Sequence, residues 1–328
     1  MNIGFIGVGG VAQAHLKNLA PMRGVRIRAV CDARPERAQE VASTYGATPH
    51  ANHRKMLRAE SLDACYVCVP PGAHGRIELE LAEARMPFFM EKPVHLNFNA
   101  ARRVIDALER TGTTSCVGYH WRYMKTTRAA RRFLKRHTDV RFVEGWWYDG
   151  FVDLPWWRRM KMSGGQIVEQ TTHVVDTARY LAGEVQTVHA IGCRGAMTDI
   201  EGYDIHDASV MTLQFDNGAI GQITTGCISD GHDQLKVGLT VRGRGFSASI
   251  DTKGGTLRDR RGPRQLESGQ KWSEQVGNGD RAFVRAIRTG DTSKIESDYR
   301  NAAQTLAVTL CANRSMQTRR SVQVPRVV

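Results

Sequence analysis

Short apolar runs alternate with amphipathic stretches through the first third of the chain. Residues 2–6 (Asn-Ile-Gly-Phe-Ile) form a strand-length run that ends in glycines, and Val11, Ala12, His15, Leu16 and Leu19 then recur at helical spacing. Residues 25–31 read as a strand closed by Asp32, and 35–45 as a helix with proline near its start and Gly46 just past its end. A short helix at 53–59, a strand at 62–69, a helix at 73–85, a strand at 87–90, a helix at 97–110 and a strand at 115–118 continue the alternation. This order predicts an α/β unit, a doubly wound parallel sheet covered on both faces.

Past residue 122 the pattern changes. A basic helix at 125–136 and an aromatic strand at 140–148 lead to one long helix at 166–182. Runs rich in Val, Thr and Ile follow at 185–193, 207–215, 219–227, 234–242 and 246–250, and Asp216-Asn-Gly218 is a hairpin signal between two of them. They predict an α+β part with a large, mostly antiparallel, open-faced sheet. Residues 259–275 are polar and Gly-rich and read as a mobile loop, before two closing helices at 279–288 and 298–315. The expected division is a nucleotide-binding domain over 1–121 and a substrate-binding and oligomerisation domain over 122–328.

Of 328 residues, 41% are hydrophobic and 24% charged, which supports a folded core and excludes global disorder. No apolar run approaches the roughly 20 residues that span a bilayer, and the start of the chain lacks the basic and small-residue features of a secretory signal. The seven cysteines are odd in number and sit mostly in apolar runs, the usage of a reducing cytoplasm. Cys65 and Cys68 form a CxxC, but no second ligand pair follows and alternation turns the two to opposite faces, so they read as core thiols and no metal site is expected. The net charge of +13 comes from scattered Lys and Arg without a nucleic-acid-binding motif. It reads as a basic surface around an anionic ligand, with neither nucleic acid nor membrane as partner.

The glycine-rich turn supplies the first chemistry. Gly7-Val-Gly9-Gly10-Val11-Ala12 matches GxGxxG/A, follows a strand and opens a helix. Gly7 would make the tight turn, Gly9 would admit a pyrophosphate, and Ala12 still permits close helix packing. The phosphates would sit at the helix N-terminus, where free N–H groups and the dipole favour negative charge. Asp32 lies 20 residues after Ala12, placed to bind the adenosine ribose hydroxyls. A carboxylate there favours NAD, while Arg34 keeps NADP open.

Glu91-Lys92-Pro93 follows the apolar Phe88-Phe89-Met90 and so sits at the carboxyl end of a parallel strand, the ligand edge of such a sheet. With this segment the chain resembles the Gfo/Idh/MocA oxidoreductases, the glucose–fructose oxidoreductase and inositol dehydrogenase group. The resemblance spans nearly the whole chain. It rests on residues 7–12 with His15, Asp32, Pro70-Pro71-Gly-Ala-His74, Glu91-Lys92-Pro93, Gly118-Tyr-His120-Trp-Arg122, Trp157-Arg158, and Gly164-Gly-Gln-Ile-Val-Glu169-Gln-Thr-Thr-His173-Val-Val-Asp176. It implies a Rossmann domain and a catalytic Lys92 beside the nicotinamide, with Pro93 after a cis bond that aims it. It also implies cofactor contacts from Val11, Pro70, Pro71, His74, Glu91 and Arg122. His173 matches the family's second-domain histidine, while Glu169 stands where the family has Asp. Pro71 and His120 stand where Asn is common, and His120 adds a titratable group near the nicotinamide.

On one predicted helix Glu169 and His173 share a face, with Asp176 on the same side. A histidine suits removal of a hydroxyl proton, and Lys92 would hydrogen-bond the same oxygen, with neither singled out as the group that moves the proton. Glu169 would orient His173 or hold a neighbouring hydroxyl. Four of the six tryptophans lie within residues 146–157. Trp156 and Trp157 are candidate sugar-stacking faces and Arg158 a partner for hydroxyls, together with His120 as substrate residues. The activity expected is NAD-dependent hydride transfer from a secondary alcohol of a sugar, cyclitol or related polyol, in a homodimer or homotetramer built through the second-domain sheet. The alternatives are glycoside cleavage or elimination through transient oxidation with recycled NAD, and a non-catalytic nucleotide-binding regulator.

Overall fold

The structure is a computed structural model and describes residues 1–229 and 236–327. The chain divides into two compact units. Met1–His95, Asn99–Tyr123 and Lys271–Arg300 make the first; Leu96–Phe98, Met124–Gln270 and Asn301–Val328 make the second.

The first unit holds strands β1 (Asn2–Ile6), β2 (Arg26–Cys31), β3 (Thr48–His50), β4 (Ala64–Val67), β5 (Phe88–Met90) and β6 (Ser115–Val117), with helices α1 (Gly10–Leu19), α2 (Pro35–Tyr45), α3 (His53–Ala59), α4 (Arg76–Glu83) and α5 (Phe98–Thr111). The order β3-β2-β1-β4-β5-β6, with every pair parallel, is the Rossmann arrangement expected. The helix expected from residue 73 begins at Arg76, after a one-turn 3₁₀ segment at Pro71–Ala73. Thr48–His50 is an edge strand too short and too polar to be read from the sequence. Phe5, Tyr66 and Phe89 stack across β1, β4 and β5, with ring centroids 4.9 Å apart in each step.

The second unit holds helices α6 (Lys125–Leu134), α7 (Met160–Ser163), α8 (Gln166–Glu169) and α9 (Thr172–Ala182). Its strands are β7 (Val140–Gly150), β8 (Val185–Cys193), β9 (Ala208–Phe215), β10 (Ile220–Ser229), β11 (Lys236–Gly243), β12 (Phe246–Asp251), β13 (Gly254–Asp259) and β14 (Gly262–Glu267). The nine-stranded order is β14-β13-β12-β11-β7-β10-β9-β8-β15, closed by β15 (Val322–Gln323); the β7/β10 pair is parallel and the rest antiparallel. Residues 234 and 235 of the strand expected over 234–242 lie outside the described residues. Helix α9 lies close on the sheet at Gly145, where a Cβ would stand 2.6 Å from Val174 Cγ1.

Two expectations need correction. Residues 259–275 are not one loop: they complete the β13–β14 hairpin, connect through 268–271 and begin α10 (Trp272–Thr289). The hairpin turns on Gly262 at φ +102°, with Asp259 Oδ1 accepting from the Arg261 N–H at 2.8 Å. Its strands carry polar side chains, so the sequence hid them. Helix α10 then belongs to the first unit rather than to a 122–328 domain, because Phe283 packs edge-on against Tyr66 and Phe89 at 5.7 and 5.9 Å. Helix α11 (Tyr299–Thr318) completes the chain's helices. No helix among the described residues is long and apolar enough to cross a membrane.

Candidate active site

In the first unit the glycine turn is built as its residue types require. Gly7 sits at φ +84°, and a Cβ there would lie 2.3 Å from the Cys68 carbonyl oxygen, so only glycine fits. Around Gly9 and Gly10 a Cβ would meet nothing within 4 Å, which leaves an open cradle over the start of α1. That helix has no side-chain cap and no acidic residue in its first turn. Its leading N–H groups and positive dipole end therefore suit an anionic diphosphate, and Val11 stands in that first turn. Ala12 is buried beneath it.

Asp32 ends β2. Its Oδ2 accepts the Val8 N–H at 3.1 Å and its Oδ1 the Arg34 N–H at 3.0 Å, with Arg34 Nε at 3.7 Å. The carboxylate thus ties the glycine turn to the next strand end while each oxygen keeps a lone pair for ribose hydroxyls. These residues fit a dinucleotide.

His74 is held by Glu78. It is buried, its Nδ1 lies 2.6 Å from Glu78 Oε1, and the Gly75 N–H also meets Glu78, so this carboxylate closes the start of α4. Pro71 is buried and Pro70 exposed beside it.

Glu91-Lys92-Pro93 leaves the carboxyl end of β5 with a cis Lys92–Pro93 bond. Glu91 is buried against Gly118, where a Cβ would stand 2.2 Å from Glu91 Oε1. Its Oε1 lies 3.1 Å from His15 Nε2, and its Oε2 accepts the Lys92 N–H at 3.3 Å. Burial pushes the Glu91 carboxyl up, but the His15 hydrogen bond and charge outweigh it and hold it below the usual range. Lys92 is half-buried. His120 stands edge-on to Trp272 at 6.3 Å, and its imidazole is pushed down to about 4 by burial, against the opposing charge of Glu91 and with that of Lys92. Arg122 is buried and its Nη1 donates to the Glu296 carbonyl at 2.6 Å, a tie between a second 3₁₀ turn, His120–Tyr123, and the segment before α11.

In the second unit Glu169 and His173 do not share one continuous helix. The helix expected over 166–182 breaks at Gln170–Thr171, between α8 and α9. There the Thr171 N–H bonds back to the Gln166 carbonyl at 3.0 Å, and its hydroxyl pairs with Thr225 Oγ1 at 2.6 Å. A buried threonine hydroxyl held from the sheet competes with regular helix at this point. His173 is buried, and its ring stacks on Trp147 at 5.9 Å and 17°. Asp176 Oδ1 accepts Thr305 Oγ1 at 2.8 Å and anchors α9 to α11.

Trp157 is 1% exposed and packs with Ile205 and Cys227, so its ring is not an open stacking face. Its Nε1 instead donates to Glu169 Oε2 at 2.9 Å. Trp156 is partly buried, and Arg158 Nη1 lies 3.8 Å from Asp153. Side chains alternate along β7: Trp147 turns to α9, while Tyr148 on the other face donates to Thr224 Oγ1 at 2.7 Å. The sequence reading missed Trp147 and Trp157 as partners of the two polar residues, and it missed Asp280, which lies 2.6 Å from His15.

A parallel sheet in this order, with an open glycine cradle and an acid at the end of its second strand, is the build of a dinucleotide-binding domain. Residues 1–119 match the model of the oxidoreductase family with the NAD-binding Rossmann fold, and residues 128–248 match the GFO/IDH/MocA C-terminal domain. The chain belongs to the GFO/IDH/MocA family. It is 24% identical to myo-inositol 2-dehydrogenase of Thermotoga maritima over 100% of both chains, and 25% identical to inositol 2-dehydrogenase of Rhizobium meliloti over 99% of both. Among solved structures, levoglucosan dehydrogenase in complex with NADH shares the fold, with a TM-score of 0.90 at 19% identity and 99% of each chain covered.

Proposed function

We propose that this oxidoreductase removes hydride from a secondary alcohol of a cyclitol, sugar or related polyol, with Lys92, His173 and Glu169 as its polar catalysts. The observation that carries the reading is the place of Lys92, at the carboxyl end of β5 on the same sheet edge as the glycine cradle. Relatives named for inositol, D-glucoside and levoglucosan oxidation support the substrate class. NAD, when bound, supplies the hydride acceptor; Asp32 favours it over NADP.

The residues divide the remaining work. Lys92 hydrogen-bonds the reacting oxygen and stabilises negative charge on it. His173, held flat by Trp147, accepts the hydroxyl proton. Glu169, held in place by the Trp157 indole N–H, binds a neighbouring hydroxyl. His120, pushed down to about 4, is neutral at working pH and serves as a hydrogen-bonding wall residue.

Lys92→Ala tests this directly. Turnover of the polyol should vanish while NADH binds within about threefold of wild type, since the variant removes only a transition-state contact. Undiminished turnover overturns the assignment. His173→Ala should lower kcat strongly with the fold intact. Glycoside turnover without net NADH would move the reading to cleavage through transient oxidation.

We also propose a homo-oligomer formed through the second-unit sheet, in the cytoplasm. Ile191, Val210, Ile220 and Tyr148 lie on one sheet face, 68%, 46%, 56% and 40% exposed. Exposed apolar residues of this kind mark an interaction surface. A monomeric mass in light scattering would contradict it. All seven cysteines are free thiols, which supports a reducing compartment.

A further inference from the structure

A chain of three buried ionisable groups runs behind Lys92, and its last member comes from the far end of the sequence. His15 on α1 presents Nε2 to Glu91 Oε1 at 3.1 Å and Nδ1 to Asp280 Oδ1 at 2.6 Å. The side chains of His15 and Asp280 are 0% exposed, and that of Glu91 is 9% exposed. Asp280 Oδ2 accepts the Asn18 amide at 3.1 Å. Tyr66 and Phe89 wall the imidazole at centroid distances of 5.2 and 4.9 Å.

The geometry fixes the protonation. A neutral imidazole has one donor and one acceptor, so it cannot donate to two carboxylates at once; the imidazolium can. A carboxylate buried without such a partner would be strongly disfavoured. The sequence places Asp280 for this task. Gly277 and Gly279 precede it inside α10, each costing roughly 1 kcal/mol of helix propensity. A Cβ at 277 would press the Asn18 amide at 3.1 Å, and one at 279 would touch Phe89 and Tyr123 at 3.5 Å. Gly277 lets α10 approach α1 closely at Asn18, beside the contact of Asp280 with His15.

We propose that Asp280 is a positioning residue for Lys92: it keeps His15 doubly protonated, and the imidazolium clamps Glu91, whose carboxylate holds the Lys92 main chain at the end of β5. The proposal rests on the reading of Lys92 as catalytic. The histidine is pushed up to about 10, since the charge and hydrogen bond of Asp280 and the bond to Glu91 overcome the lowering effect of burial. The other titratable groups that face the trio are Tyr66, Cys68 and Cys116, which burial pushes up, His120, pushed down to about 4, and Lys92.

The test is ¹⁵N NMR of the histidine side chains in the full chain at pH 8.5, on wild type and Asp280→Asn. Wild type should show one imidazole with both nitrogens protonated, and the variant should lose it. In parallel, the kcat of wild type should stay level on the alkaline side to about pH 9. That of Asp280→Asn should fall as pH rises through neutrality, by roughly tenfold per unit above the new His15 value, with NADH affinity within about threefold. No imidazolium in wild type at pH 8.5 overturns the proposal, whether or not the variant folds; so does a wild-type pH profile in Asp280→Asn. Full activity of Lys92→Ala would instead remove the catalytic reading and leave the NMR result standing.

Discussion

Trp157 donates its indole N–H to Glu169 Oε2 at 2.9 Å, and does so from a ring that is 1% exposed. The indole thus fixes the position of the carboxylate that we propose receives a substrate hydroxyl. A charge-assisted bond of this kind contributes about 1.5–3 kcal/mol. Glu169 has one methylene more than the family's aspartate, and Trp157 holds that longer arm still.

Trp157→Phe should therefore act on substrate recognition. We expect kcat/KM for the preferred polyol to fall roughly tenfold or more, with NADH affinity within about twofold, because the cofactor cradle is built by other residues. Steady-state kinetics beside a fluorescence titration checks this. Equal losses for cofactor and polyol would argue for general unfolding.

Asp32 anchors the Val8 and Arg34 N–H groups, and we propose that it also binds the adenosine ribose. Asp32→Ala should weaken NADH by roughly tenfold or more, as expected for loss of hydrogen bonds to a charged acceptor. It should weaken NADPH less, since the variant also removes repulsion of the 2′-phosphate. Titration of both nucleotides reads the ratio. An unchanged ratio would remove Asp32 from cofactor selection.

The buried His15 also sets a sign for stability. The folded chain holds its proton to about 10, while the unfolded chain releases it near the ordinary value of 6.5. Its contribution is thus fully present below pH 6.5 and is lost as pH rises toward 10, at up to about 1.4 kcal/mol per pH unit. Glu91, held below its ordinary value, gives the opposite trend on the acid side: its contribution is present above about pH 4.5 and lost as pH falls. Denaturant unfolding across pH 6.5–10 checks the alkaline limb, and Asp280→Asn should flatten it.

The parts legible in the sequence were those whose chemistry is local. A strand, a glycine turn and an acid 20 residues on are one contiguous signal, and Glu91-Lys92-Pro93 announces itself by ending an apolar run. The rest depends on distant partners. The polar, Gly-rich run over 259–275 hid the start of α10 at Trp272, and the return of Lys271–Arg300 to the first unit depends on Phe283 meeting Tyr66 and Phe89, far away in sequence. The break at Gln170–Thr171 depends on Thr225, 54 residues away. Trp157 looked like a sugar platform because aromatic composition does not distinguish a buried ring from an exposed one.

The most direct test of the account is a titration of the purified protein with NADH and NADPH, followed by a panel of cyclitols and sugars with NAD⁺ read at the nicotinamide absorbance. The account predicts tighter binding of NADH and turnover of at least one secondary-alcohol polyol. Failure to bind either nucleotide would contradict the glycine cradle and Asp32 together, and with them the function built upon them.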